Sequence, residues 1–168
     1  DYIFSYLSQW IIPGDILNKA KIAAINWHPG SPDYPGIGCT NFALYNKEVE
    51  FGITCHHMLS KVDTGKVIEV LRFPVTPNET VLSLTQKAYS NIFQSFIGII
   101  DRIEKNESLP ISNENWTRKP YTRKELNELC EIDLSMNKEE VELRIKSTTY
   151  DRPWAQLKFH GYNFKLEK

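Results

Sequence analysis

The sequence predicts an α/β fold, and two observations support that prediction. Short apolar runs bounded by turn residues recur over residues 1–75, as is typical of strands. The apolar spacing then changes to steps of three and four over residues 79–105, which indicates one long amphipathic helix. At 168 residues, 41% of them apolar, the chain is long enough for one substantial core and a small additional module.

The elements of the first part follow in chain order from these patterns. We expect strands over residues 2–6, 22–26, 49–58 and 66–75, and short helices over residues 13–19 and 39–46. Together with the long helix they form an α/β domain at residues 1–108, and a polar connector follows at residues 109–120.

Residues 121–168 are expected to form a small C-terminal module. Two capping patterns, Thr122-x-x-Glu125 and Asn137-x-x-Glu140, predict short helices at about 122–130 and 137–147. Alternating residues on both sides of His160-Gly161 predict a β-hairpin. For the aromatic side chains of this hairpin two alternatives stay open: they pack onto the α/β domain, or they form a dimer surface.

The chain leads directly from Asp1 into a strand that looks internal. We therefore expect the fold to be N-terminally truncated here, with further chain before Asp1 in the native protein. Because a sheet without its first strands exposes an apolar edge, we also expect cover from that segment or from a homodimer.

Composition excludes several classes of function. Twenty basic and 21 acidic residues give a net charge of −1, so we expect no nucleic-acid partner and no anionic membrane surface. Apolar runs are only a few residues long, so we expect no membrane span. Three scattered cysteines predict free thiols in a reducing compartment, and hence a cytoplasmic location.

The stretch from Ile22 to Gly38 is the most informative part of the sequence. A buried strand ends in Asn26-Trp27-His28, and strand parity places Asn26 and His28 on one face. A loop rich in Pro and Gly follows, and Asp63 lies in a second turn-prone loop after the next strand. If the two strands are neighbours, we expect their carboxyl ends to bring these three side chains into one crevice.

Such a trio is suited to acyl chemistry. The Asn26 amide can donate to a developing oxyanion, and His28 can donate a proton or hydrogen bond. Asp63 can hold His28 in its charged form and accept a proton from an incoming amine, directly or through water. Taken singly, each residue is more often an ordinary turn residue, so the inference depends on their joint spacing.

That spacing resembles the folate-dependent formyltransferase family over residues 1–105. Three motifs carry the resemblance: Asn26-Trp27-His28-Pro29, Gly52-Ile53-Thr54-Cys55-His56 and Asp63-Thr64-Gly65. The resemblance implies a Rossmann-like sheet and the formyl donor N10-formyltetrahydrofolate. It also implies formyl transfer to an amine, with Asn26, His28 and Asp63 as catalytic residues.

The resemblance also implies ligand-contacting residues. The segment around Ile11-Ile12-Pro13 looks like the one that lines the pterin pocket in the family. The residues expected to contact the folate are Gln9, Trp10, Ile11, His56 and Val62, and those expected to contact the acceptor are Tyr34 and Gly36. For Trp10 two alternatives stay open: it covers a flat heterocycle, or it belongs to the core. For Tyr34 and Tyr150 the alternatives are stacking on a ligand and packing within a turn.

Three acceptors are compatible with this family: initiator methionyl-tRNA, a small ribonucleotide amine and a nucleotide-linked amino sugar. Residues 121–168 hold nine basic and nine acidic side chains, which argues against tRNA. A short module with a hairpin looks most like the sugar N-formyltransferases, so we expect a nucleotide-linked amino sugar. A non-catalytic fragment that binds folate or nucleotide sugar is the alternative from another class. No metal is expected, because Cys55-His56-His57 alternates faces on a strand.

Overall fold

The structure is a computed structural model that describes residues 1–166. Four strands form its main sheet in the order β1-β2-β3-β4. They are β1 (Tyr2–Tyr6), β2 (Ala23–His28), β3 (Glu50–His57) and β4 (Val67–Pro74). β1 is parallel to β2, whereas β2–β3 and β3–β4 are antiparallel. The α/β class and the four predicted strands are confirmed.

Three helices accompany this sheet. They are α1 (Gly14–Leu17), α2 (Cys39–Tyr45) and α3 (Val81–Glu104). Thr80 and Ser83 form a reciprocal capping box at the start of α3, which satisfies two backbone N–H groups there. The predicted apolar stripe of α3 is buried against the sheet at Val81, Leu84, Ala88, Ile92 and Ile99.

The core lies between α3 and the sheet and extends to α2. Trp27 is at its centre, 1% exposed, and its indole N–H donates to the Ser95 hydroxyl at 3.1 Å. The parity of β2 therefore directs Trp27 into the core and leaves its neighbours Asn26 and His28 for the opposite face.

The C-terminal module contains the predicted helices and hairpin and one strand that the sequence analysis missed. Its elements are α4 (Arg123–Leu129), β5 (Glu131–Ile132), α5 (Lys138–Thr148), β6 (Gln156–Phe159) and β7 (Tyr162–Lys165). β5 pairs in parallel with β6 to complete a three-stranded sheet. Residues 167 and 168, at the end of the predicted module, lie outside the described residues.

Residues 107–120 connect the two parts without a helix or strand. The connector lies along the Pro/Gly loop, because the Thr117 N–H donates to the Pro32 carbonyl at 3.2 Å and the Tyr121 N–H to the Pro35 carbonyl at 2.8 Å. The module itself contacts α2, where the Asn41 amide donates to the Ser147 carbonyl at 2.7 Å. The division at residues 108 and 121 into separate domains stays a prediction.

Exposed side chains of the hairpin bear on the two alternatives for its aromatic residues. Phe159, Tyr162 and Phe164 of the hairpin are 43%, 71% and 52% exposed, so they do not pack onto the α/β part of the chain. The homodimer stays a prediction. In the part of the chain that the structure describes, no helix combines the length and the apolar character that crossing a bilayer requires.

Candidate active site

Asn26 and His28 stand at the end of β2 on one side of the sheet, as the sequence predicts. The carboxyl ends of β2 and β3 meet as expected, although the strands are antiparallel, because only the last four residues of each strand pair with the other. In their register Asn26 lies opposite His56, and His28 lies opposite Thr54. The site therefore lies beside the last residues of β3, where the pairing of β3 with β4 has a register shift between Cys55 and His56.

Asp63 reaches the site because the loop after β3 folds back over the strand ends. Its Oδ2 atom lies 3.3 Å from His28 Nδ1, and its Oδ1 atom lies 3.3 Å from His56 Nε2. Oδ2 also accepts the Gly36 backbone N–H at 2.7 Å. Asp63 has a positive φ of 45°, which is uncommon for a residue with a side chain and is typical of constrained functional loops. One carboxylate thus joins two histidines and the Pro/Gly loop.

The surroundings of Asp63 keep it ionised. Burial by itself raises the pKa of this carboxyl, but the charge of His28, the hydrogen bond and charge of His56 and the Gly36 N–H outweigh burial and bring the pKa to about 2. Asp63 is therefore a carboxylate at every pH at which the protein is expected to work.

His28 is held from two sides. Its Nδ1 faces Asp63, and its Nε2 lies 2.7 Å from the carbonyl oxygen of Tyr34. Both neighbours are hydrogen-bond acceptors, so the doubly protonated imidazolium form of His28 satisfies both at once. His28 and the carboxylate that it faces are both almost fully buried, at 5% and 6% exposed.

Asn26 and His56 form the other half of the site. His56 Nδ1 lies 2.8 Å from its neighbour's carbonyl, that of His57, and His56 Nε2 lies 3.1 Å from Asn26 Nδ2. His56 Nε2 faces both Asn26 and Asp63: without a proton it accepts one N–H of Asn26, and with a proton it donates to Asp63. Because an amide nitrogen carries two hydrogens, an N–H of Asn26 is left for a ligand in either case. The side chain of Asn26 is oriented by His56 and remains able to donate.

One cavity of about 900 Å³ connects these groups, and Asn26, His28, His56 and Asp63 all line it. The structure brings together every residue of the predicted catalytic trio. It also places on the cavity wall the five residues expected to contact folate, namely Gln9, Trp10, Ile11, His56 and Val62, and the predicted acceptor contact Gly36.

Tyr34 is the exception among the predicted site residues. Its side chain is 3% exposed, does not line the cavity, and donates its hydroxyl to Glu48 at 2.7 Å. The prediction that Tyr34 contacts the acceptor is therefore corrected. The residue reaches the site through its backbone, because its carbonyl oxygen is the partner of His28 Nε2.

The sequence analysis missed several residues around the site. Trp116 of the connector packs against His28 and His56, and Tyr89 and Trp154 line the cavity beside Tyr150. The connector has no periodic pattern, and the other two rings come from elements far apart in the sequence. No local signal identifies residues of this kind.

The cysteines offer no reactive group at the site. Burial raises the pKa of the Cys39 thiol to about 12, and burial also raises the pKa of Cys55, so neither is a thiolate near neutral pH. Among residues 1–166, no set of three His, Cys, Asp or Glu side chains is arranged to hold a metal ion.

This is an α/β protein whose cavity wall carries an amide, two imidazoles and an ionised carboxylate. Sites with such groups are suited to stabilise the charge that develops during group transfer. Residues 3–97, more than half of the chain, match the formyl transferase family. The chain belongs to that family.

Solved structures share this fold along almost the whole chain. A sugar N-formyltransferase from Shewanella sp. is 18% identical with a TM-score of 0.82, over 99% of this chain and 68% of that one. A 4-N formyltransferase from Francisella tularensis is 24% identical with a TM-score of 0.78, over 99% and 69%. An N-formyltransferase from Helicobacter canadensis, in complex with folinic acid and dTDP-3-aminofucose, is 23% identical with a TM-score of 0.73, over 94% and 58%.

Proposed function

We propose that this protein transfers a formyl group from N10-formyltetrahydrofolate to the amine of a nucleotide-linked amino sugar. The observation that carries the proposal is the convergence of Asn26, His28 and Asp63 on one cavity wall, with the carboxylate 3.3 Å from the imidazole. Membership of the formyl transferase family supports the type of reaction.

Asn26 and His28 are the groups suited to stabilise the formyl oxygen, which becomes negative when an amine attacks the formyl carbon. Asn26 offers an amide N–H, and His28, whose ring nitrogens both face acceptors, would act through the charge of its doubly protonated form. Both side chains are fixed before the reaction begins. Fixed donors of this kind act mainly on the transition state, because they need no reorganisation when charge develops.

Asp63 has two possible roles, and the structure favours one of them. A carboxylate with a pKa of about 2 is a weak base, so it is poorly suited to remove a proton from an amine. Its oxygens are already engaged by His28, His56 and Gly36. We therefore assign to Asp63 mainly the orientation of His28 and the stabilisation of its positive charge, while the proton of the amine leaves through water.

The residues around the cavity fit the formyl donor. Trp10, Ile11, Leu59 and Val62 line it although they are 61%, 65%, 57% and 38% exposed. Large apolar side chains exposed together at a cavity suit a flat ring that covers them, as the pterin of a folate would. The folinic acid in the Helicobacter canadensis enzyme supports the same donor class.

A second set of rings supports the proposed acceptor. Tyr89, Tyr150 and Trp154 line the same cavity and are 42%, 38% and 41% exposed, and Arg123 lines it too. Aromatic faces and a cation suit the base and the phosphates of a nucleotide. The dTDP-3-aminofucose in the Helicobacter canadensis enzyme supports an acceptor of this kind.

Single-turnover formyl transfer tests the proposal. The native full-length protein would be mixed with N10-formyltetrahydrofolate and a panel of nucleotide-linked amino sugars, with methionyl-tRNA as the alternative acceptor. Folate affinity would be measured separately by calorimetry. Transfer to at least one amino sugar is expected. Folate binding without transfer to any acceptor would favour the non-catalytic alternative, and transfer to methionyl-tRNA alone would replace the proposed acceptor.

A further inference from the structure

Trp116 packs behind His28 and His56, on the side away from the cavity. Its ring centroid is 5.0 Å from that of His56 and 5.8 Å from that of His28, and both pairs are edge-to-face. Its indole N–H donates to the Gly65 carbonyl at 2.8 Å. Trp116 is half-buried and is absent from the cavity lining, so the two imidazoles stand between it and the cavity.

We propose that Trp116 is a positioning residue that holds His28, His56 and the Asp63 loop in their mutual arrangement. Its catalytic consequence rests on the proposed function. The indole contacts the end of β2, the end of β3 and the loop after β3, which are the three segments that supply His28, His56 and Asp63.

The geometry explains why an indole suits this position. An edge-to-face contact fixes the tilt of an imidazole as well as its distance. The single N–H of the indole fixes the rotation of the indole itself. One side chain therefore orients both histidines and is in turn oriented by the loop that carries Asp63.

The loop at Gly65 is packed tightly enough to transmit such positioning. A Cβ atom at Gly65 would lie 1.7 Å from the His57 carbonyl oxygen, so the loop backbone rests directly on the end of β3. His57 O is also the partner of His56 Nδ1. A displacement of Gly65 would therefore change the position of His56, and Asp63 lies two residues away in the same loop.

Trp116 is itself fixed by the connector. The adjacent residue Thr117 donates its backbone N–H to Pro32 at 3.2 Å. The guanidinium of Arg118 then stacks 3.2 Å above the Tyr121 ring. Both contacts follow Trp116 in the sequence, and the N–H groups of Thr117 and Tyr121 fasten this part of the connector to the loop that follows His28.

Kinetics of two variants of the full-length protein test this proposal. Trp116→Phe keeps a ring and removes the N–H, whereas Trp116→Ala removes both. We expect turnover to fall about tenfold and about a hundredfold, the range typical of a slightly misplaced catalytic group. Folate affinity and the KM for the acceptor should change less than about threefold, since Trp116 touches no ligand. Ile111→Ala, at a 75% exposed position of the same connector, is the matched control and should retain parent turnover.

A second readout does not depend on activity. In the ¹³C/¹⁵N-histidine spectrum we expect the ring signals of His28 and His56 to move in both variants, while that of His160, in the hairpin turn, stays in place. Signals are assigned with His28→Gln and His56→Gln. Unmoved signals in Trp116→Phe, or folate affinity that falls in parallel with turnover, would overturn the proposal. If Trp116→Ala does not fold, Trp116→Phe alone decides. If the parent protein transfers no formyl group, the proposed function fails while the spectra still decide the positioning role.

Discussion

Gly36 and Asp63 are joined by a hydrogen bond of 2.7 Å, from the backbone N–H of the glycine to the carboxylate Oδ2. The bond connects the Pro/Gly loop after β2 to the loop after β3, although the residues are 27 positions apart in the sequence. Gly36 has a φ of +86°, in the left-handed region that favours glycine. The conformation of this one residue therefore helps to place the Asp63 carboxylate.

Gly36→Ala is expected to cost stability and turnover together. A Cβ atom at residue 36 would lie 2.4 Å and 2.6 Å from backbone atoms of Tyr121, and the left-handed φ adds strain. We expect a loss of about 2 kcal/mol in the free energy of unfolding, measured in urea, with turnover reduced as Asp63 shifts. Gly98→Ala is the control, because nothing lies within 4 Å of its Cβ in α3, and it should raise stability by about 0.5–1 kcal/mol. Equal changes in unfolding free energy for Gly36→Ala and Gly98→Ala would contradict this explanation.

Asp63 should also make stability depend on pH in the acid range. Its pKa falls from 3.8 to about 2 on folding, so its contribution is fully present above the unfolded value and is lost as pH falls through the folded value. The difference corresponds to about 2 kcal/mol. Urea unfolding of the parent and of Asp63→Asn should therefore differ most above pH 5 and converge between pH 4 and pH 2. If the difference in unfolding free energy between the parent and Asp63→Asn does not change with pH, the charge of Asp63 contributes nothing to that difference.

The charge of Asp63 should matter more for turnover than for binding. Asp63→Asn keeps the shape of the side chain but loses the negative charge that faces His28 at 3.3 Å. We expect its single-turnover rate to fall about 10²–10³-fold, close to Asn26→Ala and His28→Ala, while folate affinity changes little. Parent-rate transfer by Asp63→Asn would make Asp63 a structural turn residue.

Local patterns predicted most of the elements because they are set by neighbouring residues. The stripe from Val81 to Ile99 fixed the position of α3, and the Thr122 and Glu125 pair marked the start of α4. Strand parity also placed Asn26 and His28 correctly. In contrast, the two-residue strand β5 has too short a pattern to recognise, and it forms because β6 lies beside it.

Tertiary arrangement accounts for the errors at the site. Nothing in the sequence shows that β2 and β3 are antiparallel and pair only at their carboxyl ends, so the way in which the loop after β3 brings Asp63 to His28 was not predictable. Tyr34 follows Ser-Pro-Asp in a loop and looks exposed, yet Glu48 and the core draw its ring inward. Trp116 acquires its place only when the connector folds back along the Pro/Gly loop.

The cysteines should resist thiol reagents in the folded protein. Burial raises the pKa of Cys39 to about 12, and the thiol donates to the Pro29 carbonyl at 3.1 Å. Burial also raises the pKa of Cys55 and Cys130. At pH 8 we expect labelling by DTNB at least about a hundredfold slower than in urea-unfolded protein, because the thiolate is the reactive form and all three thiols are buried. Rapid labelling of Cys39 in the native state would show that its side of the cavity opens.

Thr54→Val is expected to loosen the support of His28. The buried Thr54 hydroxyl donates to the Gly30 carbonyl at 2.7 Å, and a Cβ at Gly30 would lie only 2.7 Å from His28 Nε2, so this loop backbone rests on the imidazole. Valine keeps the volume but leaves the Gly30 carbonyl without this donor, at a cost of about 1–3 kcal/mol in unfolding free energy. Thr54→Ser is the matched control, because it keeps the hydroxyl and loses only a methyl group. Turnover should fall more in Thr54→Val than in Thr54→Ser, with folate affinity unchanged in both. The opposite order would mean that packing of the Thr54 methyl group, rather than the hydrogen bond to Gly30, maintains the position of His28.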